Sequence, residues 1–381
     1  MKIVHIGLAS YYTDGMAYQD NQLVEQNVRD GHEVVYISNA QKYISGEVVD
    51  VGYEDTVLPC GARLIRLPYV RIINGFVSGK VRKVRGLYQL LHELKPDVIL
   101  SHDLCSWSVL DVIKYKKEHP ELKFYADTHT NYGNSGRNWL SLHVLHRIYY
   151  RWLANKALPY LEKYFYTNSN GKQFSIDNYR FPESVMEFYP LGGNVPNKAH
   201  YEAVRQTKRE NLRLKPDELL LIHSGKLDAA KRTEELLKAF AAVPQLKARL
   251  IIIGNIPEDM RDILSPLINV DDRIEYHGWK SADELIEYLC AADLYLQPGS
   301  DSATMQNAVC SGCPVLLYPH SWYVDGFDYG NVIWTRTQDD IQTSFEKLAE
   351  QKIDLKLLSE NSWRCANELL DYKKLAARLY V

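Results

Sequence analysis

The sequence predicts an α/β protein of two domains, each built on a parallel sheet. Short apolar runs alternate with helix-like segments, and this alternation starts again near residue 219. The connections between successive runs are long enough for the helical crossovers that parallel strands require. The chain has 381 residues, which is more than a single hydrophobic core usually serves.

The first series opens with a buried strand, KIVHIGL, and a polar loop, ASYYTDGMAY. Apolar spacing and Gly31 predict that a helix follows, QDNQLVEQNVRDG, before the strand HEVVYIS. The other predicted elements of this half are the strands RLIRLP, PDVILSH and KFYADTH, a basic helix-like stretch VRKVRGLYQLLHELK, the helix WSVLDVIKYKKEH and the amphipathic stretch WLSLHVLHRIYYRWLANKALPYLEKY.

The second series opens with the strand LLLIHSGKL and the helix TEELLKAFAAV. Its later predicted elements are the strands ARLIIIGN, RIEYHGW, DLYLQPG and CPVLLYP, helices near 258–268 and at ADELIEYLCAA, and a C-terminal helix pair. The Pro-, Gly- and Asn-rich stretch PLGGNVPNKAHYEAVR between the two series predicts a linker.

Composition favours a soluble globular enzyme. Apolar residues make up 46% of the chain and charged residues 24%, and the net charge of −3 gives no reason to expect a nucleic-acid partner. The N-terminal segment turns polar too early for a secretory signal, and no apolar run is long enough to span a bilayer. We therefore expect a cytoplasmic protein.

The six cysteines are scattered, which is typical of reduced thiols. Cys310 and Cys313 form a C-x-x-C, but no second pair stands at zinc spacing. We expect core or turn thiols here and no metal site.

Ligands of open α/β sheets bind beyond the carboxyl ends of the strands, so the loops after the predicted strands are the candidate sites. The loop at 8–18 contains Gly15 but no G-x-G-x-x-G, and the chain has no G-x-x-x-x-G-K-[ST]. Gly15 is either a tight-turn glycine or a point where a phosphate approaches the backbone at a helix start.

Two histidines follow predicted strands directly. His102 stands in SHD, and His129 opens a loop of polar residues and glycines. A histidine at a strand end is often structural, but His129 also suits a substrate-lining loop, and His102 is able to orient that loop.

Two lysines, Lys226 and Lys231, flank a turn between a strand and a helix that begins near Thr233. Ammonium groups beside a helix N-terminus are normally unfavourable, because that end of the dipole is positive. They are favourable if an anion with several charges, such as a diphosphate, binds there. The alternative is a solvated basic loop.

The loop PGSDSATMQNAVCSGCP, residues 298–314, contains a single carboxylate, Asp301. We expect Ser300, Asp301 or Ser302 to cap a helix, leaving the amides of Ala303 and Thr304 available to an anion. Asn307 is placed to hydrogen-bond a sugar hydroxyl. A plain capped helix explains the same residues.

Together these stretches resemble the GT-B nucleotide-sugar glycosyltransferases, glycosyltransferase family 4 in particular. The matching pieces are DGMAYQDNQLVEQNVRDGHEVVYIS, PDVILSHD, DTH, SGKLDAAKRTEELLKAF, ADLYLQPGSD and NAVCSGCPVL, which occur in the family's order. The resemblance implies two Rossmann-like domains facing across a cleft: 1–192, which binds the acceptor, and 193–360, which binds the nucleotide sugar. A C-terminal helix, 361–381, is expected to pack back on the first domain.

The resemblance also implies a reaction. A sugar would pass, with retention and without a metal or other cofactor, from a UDP- or GDP-sugar to a hydroxyl of a glycan or lipid-linked acceptor in polysaccharide or glycoconjugate assembly. The implied catalytic residues are His129, Lys226 and Lys231. The implied substrate-binding residues are Gly15, Tyr18, His102, Gly225, Asp301, Ser302, Ala303, Thr304 and Asn307.

The loop at 298–314 departs from the family pattern of two Glu separated by seven residues. Asn307 stands where the second Glu would bind ribose, and Asp301 is a loose counterpart of the first. Two alternatives therefore stay open: a non-catalytic nucleotide-sugar-binding paralogue that acts as a scaffold, and a nucleotide-sugar epimerase.

The stretch at 137–166 interleaves Trp and Tyr with Arg, Lys and Leu, and KVRKVR lies upstream. Interfacial membrane helices have this composition, and so do domain helices that bury a Leu and Tyr face. Peripheral contact with the inner face of a membrane and ordinary packing are the two interpretations.

Overall fold

The computed structural model describes residues 1–16, 18–44, 47–300, 302–320 and 328–381. The chain divides into two compact units. Unit 1 comprises Met1–Pro190 and Leu375–Val381, and unit 2 comprises Leu191–Lys374. Both are α/β units on largely parallel sheets, as the alternation of apolar runs predicts.

The strands of unit 1 are β1 (Lys2–Gly7), β2 (Glu33–Asn39), β3 (Gln41–Ile44), β4 (Glu47–Asp50), β5 (Glu54–Val57), β6 (Arg63–Leu67), β7 (Val98–His102), β8 (Lys123–Thr128), β9 (Lys163–Tyr166) and β10 (Met186–Phe188). Its helices are α1 (Gln19–Arg29), α2 (Gly75–Val81), α3 (Leu87–Leu94), α4 (Val109–Glu118), α5 (Arg151–Ala157) and α6 (Ser169–Phe174).

Eight of these strands form one sheet in the order β10-β9-β8-β7-β1-β2-β6-β5, and the described pairs are parallel except β5 with β6. β3 and β4 pair as a separate antiparallel hairpin. The stretch predicted as one long amphipathic segment is divided. A π-helical segment, Ser141–Tyr150, runs into α5, and Pro159 follows before β9 begins. Proline lacks the N–H that a continuing helix needs.

Unit 2 contains the strands β11 (Leu219–Lys226), β12 (Ala248–Asn255), β13 (Ile274–Tyr276), β14 (Leu294–Gln297), β15 (Val315–Leu317) and β16 (Val332–Trp334). Its helices are α7 (Lys198–Asn211), α8 (Thr233–Ala241), α9 (Glu258–Asn269), α10 (Ala282–Ala291), α11 (Thr304–Cys310), α12 (Gln338–Ala349) and α13 (Leu355–Cys365), and α14 (Tyr372–Ala377) carries the chain from unit 2 into unit 1. The strands pair in parallel in the order β13-β12-β11-β14-β15-β16.

The predicted linker is wrong in its second half, which is helix α7. The Asn197 side chain accepts a hydrogen bond from the His200 amide at 2.9 Å and starts this helix. No residue of α7 is fully buried, so it lacks the apolar stripe that identifies a core helix. Arg205 and Arg209 fix it by donating to the last carbonyls of α10 and to Asp293.

The C-x-x-C cysteines are buried, as expected of core thiols. Burial raises the pKa of both Cys310 and Cys313, which keeps the thiols protonated and unreactive. The aspartates at 339–340 begin α12, where Asp340 forms a capping box with Thr337. In the part of the chain described, no helix combines the length and apolar character needed to cross a bilayer.

The loops at the carboxyl ends of β11 and β14 pack backbone against backbone. The Ser300 amide donates to the Ala230 carbonyl at 2.7 Å. A Cβ on Gly299 would lie 2.2 Å from that carbonyl oxygen and 2.5 Å from the carbonyl carbon of Lys231. Because neither backbone segment is able to rotate away as a side chain would, only glycine fits at 299.

Gly299→Ala is therefore expected to lower the free energy of unfolding by about 1–3 kcal/mol, through overpacking. Chemical denaturation measures it. Gly79→Ala is the control, since Gly79 lies in α2 and nothing stands within 4 Å of its added Cβ. That control should be neutral or stabilise by up to about 1 kcal/mol. Equal effects of the two substitutions would contradict the packing argument.

Candidate functional site

The topological switch point of unit 2 lies between β11 and β14. The chain leaves β11 toward β12 on one side and returns through β14 on the other. In open α/β sheets, ligands bind at such a point, beyond the carboxyl ends of the strands. The predicted residues Gly225 and Lys226 end β11, and Lys231 lies in the turn after it. Ser302, Ala303 and Thr304 lie between β14 and the first turn of α11.

The turn after β11 has an unusual backbone. Gly225 has φ +138 and Arg232 has φ 56, and a 3-10 turn, Ala229–Lys231, lies between them. Lys226 ends the strand with an exposed side chain and forms no salt bridge with a described carboxylate. The helix α8 begins at Thr233, where the sequence predicts it.

Lys231 is buried, with 5% of its surface exposed. Its ammonium donates to the Ser300 carbonyl at 2.9 Å, and its Cε lies 3.0 Å from the position of a Cβ on Gly225. The side chain therefore reaches back across the ends of β11 and β14. Desolvating an ammonium is costly unless hydrogen bonds or an anion compensate it, so this position concentrates positive charge at the switch point.

The start of the helix after β14 differs from the prediction that a serine or aspartate side chain caps it. Helix α11 begins with Ala303 at the N-cap and has no side-chain cap hydrogen bond from the described residues. The Ser302 hydroxyl donates to Gln297 Oε1 at 2.8 Å. Asp301 lies outside the described residues. Sequence analysis missed Gln297, a buried amide that holds the loop from within β14.

Asn307 lies one turn into α11, against the backbone of Gly193. Its Oδ1 is 3.1 Å from the position of a Cβ on Gly193. Asn307 is half-buried.

The switch point of unit 1 lies between β1 and β7, since β1 pairs with β2 on its other side. His102 ends β7 and is buried. Gly15, with φ +71, lies in an exposed turn, and no atom of the described residues stands within 4 Å of an added Cβ there. Tyr18 is exposed at the N-cap of α1. These features leave both interpretations of Gly15 open.

His129 follows β8, and its side chain is half-buried. Its carbonyl accepts from Asn134 Nδ2 at 2.7 Å, which fixes the loop. Asp103, which sequence analysis did not single out, has φ 66, and the hydroxyls of Thr128 and Thr130 donate to its carboxylate at 2.9 and 3.1 Å. Burial raises the pKa of Asp103, while the charge of His129 opposes that rise. The only signal was its place beside His102 in SHD.

Below the switch point of unit 1, six polar side chains are joined by five hydrogen bonds into one network. Tyr380 donates to Asp30 at 2.8 Å, and Asn27 Nδ2 donates to Tyr380 at 2.8 Å. The remaining links join His5 Nε2 to Asn27 Oδ1 at 2.8 Å, His5 Nδ1 to His102 Nε2 at 3.1 Å, and His102 Nδ1 to Asp127 Oδ2 at 2.8 Å.

The donor and acceptor roles in this hydrogen-bond network are satisfied when His102 is charged. Asn27 presents its oxygen to His5, so His5 donates from Nε2 and accepts at Nδ1. His102 must then donate from both ring nitrogens, which is the imidazolium. Burial opposes that charge, but the Asp127 carboxylate raises the pKa of His102, and burial together with His102 lowers the pKa of His5 to about 3.

A cavity of about 650 Å³ lies elsewhere in unit 1, beside β6 and α3. Arg71 and Arg85 line it, and none of the predicted site residues does. The predicted site residues thus fall into two groups. Gly225, Lys231 and Ser302 lie at the switch point of unit 2, and His102 and His129 lie near that of unit 1.

Comparisons with known proteins agree with this architecture. The profile of the family described as glycosyl transferases group 1 matches residues 204–362. No curated protein sequence matches the chain.

Solved structures match over the whole length. HepE from Anabaena in complex with UDP has a TM-score of 0.67 at 13% identity, covering 100% of this chain and 98% of its own. Sucrose-phosphate synthase from Thermosynechococcus elongatus gives 0.63 at 16%, covering 100% and 97%. WaaG, a glycosyltransferase involved in lipopolysaccharide biosynthesis, gives 0.58 at 16%, covering 100% and 99%. The chain has the GT-B fold, with two Rossmann-like domains.

Asp127→Asn is expected to lower the free energy of unfolding by about 3 kcal/mol or more, because it leaves a buried charge on His102 without its partner. Because the pKa of His102 is raised above its unfolded value of 6.5, the charged ring stabilises the folded state below pH 6.5. This stabilisation is lost as the pH rises through the pKa of the folded state. The lowered pKa of Asp127 adds stability above 3.8 that is lost in acid.

Denaturation of the native chain and of Asp127→Asn between pH 5 and pH 9 tests this. The stability difference should shrink as pH rises above neutrality. Asp177→Asn is the control, because this carboxylate is exposed and accepts hydrogen bonds from Tyr132 and Gln173 at the surface. A stability difference that does not change with pH would contradict the imidazolium.

Proposed function

We propose that the protein is a retaining, metal-independent glycosyltransferase that moves a sugar from a nucleoside-diphosphate sugar to a hydroxyl of a glycan or lipid-linked acceptor. The family profile and the solved structures support a glycosyltransferase. The observation that carries the finer proposal is Lys231, a buried ammonium held across the ends of β11 and β14.

The donor diphosphate would bind at the switch point of unit 2. Lys231 and the exposed Lys226 supply two positive charges. HepE was crystallised with UDP and with UDP-glucose, which supports a nucleotide of this class for the present chain.

In the proposed reaction the acceptor oxygen forms a bond to sugar C1 as the bond from C1 to the phosphate oxygen breaks. The proton of the acceptor hydroxyl passes to the leaving phosphate. Charge develops on that leaving group, and fixed ammonium groups stabilise it without reorganisation. His129 would hydrogen-bond the sugar or acceptor.

The proposed pathway is surface polysaccharide or glycoconjugate assembly. WaaG acts in lipopolysaccharide biosynthesis, which supports this proposal by likeness of fold. A lipid-linked acceptor would suit an enzyme at the cytoplasmic face of a membrane.

Lys231→Met removes the charge and keeps most of the side-chain volume. We expect it to weaken binding of the preferred nucleoside diphosphate, chosen from UDP and GDP, by about 100-fold, since hydrogen bonds to charged groups contribute about 1.5–3 kcal/mol. Binding of the corresponding nucleoside, which has no phosphates, should not change. Calorimetry in EDTA measures both, and donor turnover should be lost.

The control is Lys238→Met on α8, where the exposed lysine pairs with Glu234 at 2.7 Å. Equal binding of diphosphate by the native chain and Lys231→Met would contradict the proposed phosphate contact. Binding of a nucleotide sugar without any transfer or slow hydrolysis would favour the scaffold alternative.

Asn307→Ala should raise the donor KM by about tenfold and lower kcat much less, because a ribose contact stabilises ground state and transition state alike. Steady-state kinetics with varied donor tests this, with Asn269→Ala at the exposed end of α9 as control. An unchanged KM would remove the ribose assignment.

A further inference from the structure

Unit 1 has two segments without any acidic residue. Residues 71–92 and 128–161 together contain nine Lys and Arg and no Asp or Glu. The whole chain has 48 acidic residues and a net charge of −3, so these segments are strongly basic against an acidic background. A local charge excess of this kind marks a surface that attracts anions.

None of the nine basic side chains forms a salt bridge with a carboxylate of the described residues. Other basic residues of unit 1 do, such as Lys42 with Asp14, Arg63 with Asp55 and Lys172 with Glu183. The basic residues of the two segments are Arg71, Lys80, Arg82, Lys83, Arg85, Arg137, Arg147, Arg151 and Lys156. Their positive charge is thus less compensated internally than that of their neighbours.

The same segments expose large apolar side chains. Ile73 is 84% exposed, Phe76 73%, and Trp139 69%. Along the π-helical segment and α5 a further exposed row recurs at every fourth residue: Leu140, Val144, Ile148 and Trp152. Side chains four apart share one helix face, so this row is an apolar ridge and not a set of isolated surface residues.

The two segments lie side by side. The Tyr149 and Tyr150 hydroxyls donate to the carbonyls of Val81 and Lys80 at 3.1 and 2.9 Å. The Trp107 ring lies 5.8 Å from that of Trp152, and the Lys83 ammonium lies over the Trp107 ring at 5.6 Å. We call the surface formed by residues 71–85 and 137–156 the basic-apolar face.

We propose that the basic-apolar face docks on the surface of an anionic phospholipid bilayer. Exposed Ile, Phe and Trp side chains suit the boundary between headgroups and acyl chains, and Lys and Arg suit the phosphates above it. The absence of carboxylates from both segments lowers the repulsion that anionic lipids would otherwise meet. This inference is independent of the proposed transfer activity.

Co-sedimentation of the full chain with vesicles tests the docking. Vesicles of 30% phosphatidylglycerol in phosphatidylcholine should bind the protein at least tenfold more strongly than vesicles of phosphatidylcholine alone, and raising the salt from 0.05 to 0.5 M should release it. Equal binding to both vesicles, or no binding to either, would overturn the proposal.

Two variants locate the contact. Arg71→Gln with Lys80→Gln should weaken binding to the anionic vesicles about 25-fold, at about fivefold for each basic residue. Lys373→Gln with Lys374→Gln makes the same change in net charge at exposed positions in unit 2 and should stay within twofold. Equal losses in the two pairs would show that net charge alone acts, and would overturn the face as the docking site.

Phe76→Ser with Ile148→Ser should weaken vesicle binding at least tenfold, while Val270→Ser with Trp279→Ser, which are 72% and 74% exposed in unit 2, should not. Thermal unfolding of each variant checks that the fold is intact. The lipid assignment would be overturned in favour of nucleic acid by one result. In that result a single-stranded RNA oligonucleotide binds, the substitutions in the basic-apolar face weaken its binding, and vesicles do not bind.

Discussion

The position of Lys231 depends on a contact between two backbones. The turn after β11 lies directly on Gly299 at the end of β14, and the amide of Ser300 donates to the carbonyl of Ala230. This contact leaves the lysine side chain only the space between the two strand ends, beside Gly225. A buried and fixed ammonium acts on an anion more strongly than an exposed one, because the surrounding dielectric constant is lower.

In unit 1 the ends of β7 and β8 are held by hydrogen bonds and by the ion pair of His102 with Asp127. The hydrogen bonds from Asp30 to Asp127 set the donor and acceptor roles of His5 and of His102, the last residue of β7. Buried ion pairs are rarely the most stable solution. Here the pair orients Asp127 and the end of β8, from which the chain continues directly to His129.

The local sequence pattern predicted most strands and helices such as α8. The spacing of apolar residues and the capping residues that define these elements lie within about ten neighbouring positions. It failed for α7, which has no apolar stripe, and for the start of α11. Ser300, Asp301 or Ser302 was expected to cap that helix, but the Ser302 hydroxyl donates to Gln297, five residues earlier in a strand. The link from His5 to His102 spans 97 positions, and no local pattern contains it. Asp103 was missed because its strained backbone appears only in three dimensions.

The central claim is that a diphosphate binds where β11 and β14 end. A crystal structure of the chain soaked with its preferred nucleoside diphosphate is the most direct measurement. The account predicts phosphate oxygens within about 3 Å of the Lys231 ammonium, the distance of a charge-assisted hydrogen bond. A diphosphate bound at any other place, with the Lys231 ammonium still donating to the Ser300 carbonyl and no phosphate beside it, would contradict it.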